Sequence, residues 1–210
     1  MTCFKKIKWV LFSLLVMMVM VITSFSILAQ ATELAARSAI EVTLHGNEKL
    51  LLKLAEAHVT LVQSNSAKLK ITLREGDALN VEVKNGVIQI MNLDQDVFVT
   101  AGNNSKRKNL VIEISGPSLS ADVHVYEGLI SAQSWSKDAI LHLQKGKIQT
   151  KDCVAALKIH SQSGEVLVQG NHGRLEINTY KAKVIVRNQD GALNVDNFAG
   201  ETLLEKNKGA

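Results

Sequence analysis

Proline is all but missing from this 210-residue chain, which has Pro117 alone, and aromatic residues make up only 4% of it. The core must therefore come from Val, Ile and Leu, the residues that fit strands best. Cysteine is as scarce. Cys3 lies near the N-terminus without the apolar, small-residue stretch that a lipoprotein cysteine needs before it, and Cys153 is the one other thiol. A lone thiol forms no internal disulfide, so stability has to come from packing; Cys153 itself reads as an inert loop thiol rather than a reactive or intermolecular one. No Lys/Arg cluster exceeds Lys106, Arg107 and Lys108, which removes the electrostatic footprint that nucleic acid requires. Catalytic motifs are missing too. No serine sits in a nucleophile elbow, and there is no His-Glu helix and no phosphate loop. Asp94 and Asp96 read as a surface turn, and the aromatic platforms and clustered acids of a polysaccharide-cleaving groove are lacking. The chain is therefore expected not to be an enzyme and to need no cofactor. With 46% hydrophobic and 21% charged residues it is expected to fold.

What is present begins with the leader. Lys5, Lys6 and Lys8 precede an apolar run from Trp9 to Ile22, followed by Thr23, Ser24 and Ser26 and by a small-x-small pair, Ala29 and Ala31. This is the layout of a secretory signal peptide cleaved after Ala31. The alternative is a retained signal anchor, with residues 9–29 crossing the cytoplasmic membrane and the lysines on its cytoplasmic side. Either way, the rest of the chain is expected outside that membrane, in the periplasm or at the cell surface. Removing residues 1–31 takes away three lysines and no acid, leaving 21 basic against 20 acidic residues. The exported body is close to neutral.

The body is metrical. Gly128, Gly146, Gly164, Ala182 and Gly200 stand eighteen residues apart and open the units GLISAQSWSKDAILHLQK, GKIQTKDCVAALKIHSQS, GEVLVQGNHGRLEINTYK, AKVIVRNQDGALNVDNFA and GETLLEKNKGA. Within a unit the third and fifth positions are mostly apolar (Ile130 and Ala132, Val166 and Val168, Val184 and Val186), and so are the twelfth and fourteenth (Ala139 and Leu141, Leu157 and Ile159, Leu175 and Ile177). Alternation with period two means strands with one face buried. Each unit thus reads as two nine-residue strand-turn halves, and the segment LVIEISGPSLSADVHVYE from Leu110 fits in front of the first. Self-similarity at a short fixed period predicts an all-β fold, a parallel β-solenoid with 18-residue coils. An antiparallel sandwich is the alternative, since strands at this spacing also build one. The second position alternates in charge through Lys147, Glu165, Lys183 and Glu201, which favours a parallel stack with these side chains about 4.8 Å apart. Residues 32–109 are strand-rich but less regular and are expected to be an N-terminal or capping region. Residues 110–210 form the regular repeats, with GNNSKRKN at 102–109 as the boundary.

The motifs SGEVLVQG, KGKIQTKD and DGALNVDN, with a lead-in such as KNLVIEIS, resemble the bacterial putative-adhesin family of exported short β-strand-repeat domains over about residues 78–208. The resemblance implies a solenoid architecture and an envelope location. It supplies no catalytic residues. The nine-residue metre also invites comparison with calcium-binding nonapeptide repeats, but the turns here read QSWS, KDCV, QGNH and RNQD, without the glycines and aspartates that ion needs.

Two columns stand out. The fifteenth position carries His124, His142 and His160, continued by Asn178 and Asp196. Stacked on successive coils, these imidazoles would form either a solvated polar ladder or a zinc or copper site. The fourth position becomes apolar along the chain in Leu167, Ile185 and Leu203, and Tyr180 and Phe198 are eighteen apart near a turn. Such a stripe is expected to carry a protein partner or self-association. The resulting reading is an exported, non-enzymatic, adhesin-like binding or scaffolding protein of the cell envelope. The alternatives are a membrane-anchored lipid-transport component with an apolar groove and a periplasmic metal-binding protein using the histidine ladder.

Overall fold

A computed structural model describes residues 30–35, 37–76, 78–92 and 109–208. The proposed leader or anchor helix, the Asp94/Asp96 pair and nearly all of the GNNSKRKN boundary lie outside the described residues. Among those that are described, no helix is long and apolar enough to cross a membrane.

The all-β expectation holds. The elements are β1 (Gln30–Leu34), β2 (Ser38–Thr43), β3 (Lys49–Gln63), β4 (Lys68–Glu75), β5 (Leu79–Lys84), β6 (Val87–Met91), β7 (Leu110–Gly116), β8 (Ser120–Gln133), β9 (Ala139–Lys151), β10 (Leu157–Gln169), β11 (Leu175–Arg187), β12 (Leu193–Asn197) and β13 (Thr202–Glu205). From β8 onward the pairing is parallel and offset by eighteen residues: Val123 faces Leu141, Leu141 faces Ile159, and Ile159 faces Ile177. We call each such layer a rung; β12 and β13 together make the last one, both pairing with β11.

A purely parallel sheet is corrected by the N-terminal half. β2 pairs with β4, β4 with β7, and β5 with β6, all antiparallel, so the sheet is mixed. The expected place of Leu110–Gly116 is corrected as well: Ile112 stands beside Val59 of β3, and Val59 in turn beside Ile130. β3 is a rung in its own right, inserted between β7 and β8. Its sequence explains this, because Leu50, Leu52 and Leu54, then Ala57, Val59 and Leu61, present the same inward pattern as β8. On the far side of β3 the layer divides between β6 and β7.

The rungs β3 and β8–β11 are each one strand bent in the middle plus one true turn rather than two strands and two turns, whereas the last rung keeps two strands, β12 and β13. The parallel ladder skips Tyr126, Gln144, Gln162 and Tyr180, and the chain bends there. At the first three of these bends a glycine follows two residues later, where successive backbones approach closely: a Cβ on Gly146 would lie 2.0 Å from the Gly128 carbonyl oxygen, at a φ of +133°. At the true turn Ser134, Asp152, Asn188 and Lys206 take the left-handed conformation with φ between 52° and 54°. Short polar residues tolerate that region best, which accounts for most of this column.

The interior is filled by ladders. Leu52, Val123, Leu141, Ile159 and Ile177 form one and Val59, Ile130, Ile148, Val166 and Val184 another, all fully buried. Each such side chain contributes roughly 1.5–3 kcal/mol. The Cys153 side chain turns inward in its turn, in the column of Trp135, and is fully buried, and burial pushes its thiol pKa up. It is an interior thiol rather than one exposed on a loop. Trp135 donates its indole N–H to the Leu119 carbonyl at 3.0 Å.

Candidate functional site

The outward residues of the N-terminal arm of each rung, together with those at the bend, line an open groove of about 920 Å³. Strand alternation sets one wall. Residues three and one before the buried Val125 point outward, so Asp122 and His124 share a face, and the parallel register carries that face to Ile140 and His142, then to Lys158 and His160. The bend sets the other wall, with Tyr126, Gln144, Gln162, Tyr180 and Phe198 at successive rungs.

The three histidines do stack. The rings of His124 and His142 lie 4.2 Å apart at 10°, and those of His142 and His160 lie 4.7 Å apart at 11°. Burial pushes the His142 pKa down, flanking His124 and His160 push the same way, and Asp122 opposes them. The spacing of three histidines at eighteen residues makes the ladder visible in the sequence. Asp122 was missed. Its Oδ1 lies 2.8 Å from His124 Nε2 and 3.9 Å from His142 Nε2. The signal was the Asp-x-His alternation in ADVHV, which period two places on one side of a strand.

The apolar candidates separate into two groups. Tyr180 and Phe198 stack in the groove with centroids 5.2 Å apart at 7°, and they are 58% and 76% exposed. Leu167, Ile185 and Leu203 stack on one another on the other arm, outside the groove. Leu167 and Ile185 are half-buried by their neighbours, while Leu203 in the last rung is exposed together with Leu204.

Charge complements the stacking. Lys147 reaches Glu165 at 3.1 Å, Lys145 reaches Glu127 at 2.9 Å, and Arg187 reaches Glu205 at 2.7 Å, each pair eighteen residues apart. Exposed pairs of this kind are weak and screened by solvent, so they favour the register more than they hold the fold.

No protein-family model and no curated protein matches the chain. Three solved structures match it in part. A "putative cell adhesion protein" from Clostridium sporogenes ATCC 15579 is 15% identical with a TM-score of 0.50, and the match covers 84% of this chain and 99% of that one. A "putative lipid binding protein" from Parabacteroides distasonis ATCC 8503 is 12% identical with a TM-score of 0.26, over 82% and 95% of the two chains. A "putative adhesin" from Parabacteroides merdae ATCC 43184 is 10% identical with a TM-score of 0.27, over 82% and 94%. At these identities the likeness bears on fold alone, and only the first reaches a TM-score that supports even that.

Proposed function

We propose that the chain is an exported, non-enzymatic, adhesin-like protein of the cell envelope, built as a β-solenoid over residues 120–208 and acting through its outer faces as a binding or scaffolding surface. Export rests on the leader pattern of residues 1–31, and the adhesin-like character on the resemblance of the repeat motifs and the fold of the Clostridium protein. The interior is filled by apolar ladders, so binding is assigned to the outside of the stack.

The observation that carries the reading is the last rung. Among the described strands, β12 and β13 pair with β11. The inward-facing Leu193 and Val195 are only half-covered, and Phe198, Leu203 and Leu204 are 76%, 42% and 49% exposed beside them. Exposed apolar patches of this kind mark interaction surfaces. The occupant we assign is a second copy, seated on this apolar patch.

Sedimentation equilibrium of the full chain tests the assignment. The expected result is concentration-dependent dimerisation that Phe198→Ser with Leu203→Ser weakens at least about tenfold, as loss of central apolar anchors does. A strict monomer over a wide concentration range would contradict it.

A further inference from the structure

The groove offers one cluster that the adhesin-like reading does not use. Asp122 Oδ1, His124 Nε2 and a ring nitrogen of His142 all lie within 4.8 Å of one another. The Asp122 oxygen is sealed from solvent and lacks an aligned hydrogen-bond donor, although its carboxylate as a whole is 45% exposed. Its near partner is the His124 ring nitrogen at 2.8 Å, and a cation between the two would satisfy both the carboxylate oxygen and the imidazole lone pair.

We propose that Asp122, His124 and His142 bind a divalent transition-metal ion of the zinc or copper class. Two imidazole nitrogens and one carboxylate oxygen are the donor set these ions favour. Metal–ligand bonds of about 2.0–2.2 Å place ligand atoms about 3–3.5 Å apart in a tetrahedral site. The observed 2.8 Å and 3.9 Å straddle that range, and binding requires the stacked rings of His124 and His142 to rotate until their lone pairs converge on the ion. The remaining position opens onto the groove, the arrangement of a site that keeps a place for water or an exogenous ligand.

The ladder alone would not place the ion at this end. In the column of Asp122 the next rungs carry Ile140 and then Lys158, so His160 has a cation rather than a carboxylate beside it. Lys158 is itself drawn to Glu176 at 3.7 Å. On the other side, Lys53 of β3 stands next to His124 and is exposed, which leaves its ammonium free to extend into water. The site therefore holds two of the three histidines and, among the described residues, the acid that groups with them. It stands apart from the dimer reading and would persist in a monomer.

Calorimetric titration of the untagged full chain with zinc chloride, in a buffer that does not chelate, tests the proposal. One zinc per chain is expected. Asp122→Asn and His142→Gln should each weaken binding at least about tenfold, because loss of even an outer-shell partner costs that much. His160→Gln should change it by less than about threefold. Thermal unfolding of each variant without metal checks folding; were Asp122→Asn to unfold, His124→Gln replaces it with the same expectation. Absence of zinc binding by the wild type, or equal weakening by His160→Gln, would overturn the assignment.

Discussion

At the scale of the residue, register turns ordinary side chains into coupled ones. A lone exposed imidazole titrates near its usual value, but His142 sits between two others, and burial combined with that flanking lowers its pKa. Unfolding frees it to take a proton at about pH 6.5. Between the folded and unfolded values the unfolded chain binds more protons, so stability rises with pH in that window. The contribution is fully present above the ordinary imidazole value and is lost as pH falls through it towards the folded one. Without added metal, His142→Asn should flatten the pH dependence of the urea midpoint in that window and leave the plateau above it little changed. An identical slope in the two proteins would mean the stacked ring titrates as an isolated one. The three histidines were legible from their spacing, whereas Asp122 stands once in its column, so no repeat marks it and only the strand alternation with His124 points to it.

At the scale of the element, the unit is the bent strand. The bend needs a small residue where one rung's backbone crosses over the last, and Gly128, Gly146 and Gly164 supply it, with Ala182 taking the same place at an ordinary φ. Gly146→Ala would put a Cβ against the Gly128 carbonyl and hold a non-glycine residue at strongly positive φ. It should cost at least about 2 kcal/mol, read as a lower denaturant midpoint at unchanged slope. An unchanged midpoint would show that the bend adapts as it does at Ala182. The alternation of buried positions read directly from the sequence. The continuity of each strand through its bend did not, because glycine followed by polar residues signals a turn equally well.

At the scale of the whole molecule, the eighteen-residue metre specified the parallel stack from β8 onward, and the mixed N-terminal half escaped it. The reason is β3. Its inward residues match the rung pattern, but the chain leaves through β4–β7 before returning to the stack at β8, so no fixed period connects Leu52 to its neighbour Val123. Of the apolar stripe, Leu167 and Ile185 are half-buried and Leu203 is exposed, since the metre places residues on a face without saying how far neighbouring side chains cover them.

The central claim is the parallel eighteen-residue register, and amide–amide nuclear Overhauser contacts in the perdeuterated protein test it most directly. Parallel rungs predict contacts of constant difference, joining each residue of β9 to the residue eighteen later in β10, and β10 to β11 in the same way. Contacts of constant sum, mirrored about each turn, would mean an antiparallel meander, and the histidine ladder, the groove and the metal site would fall with the stack.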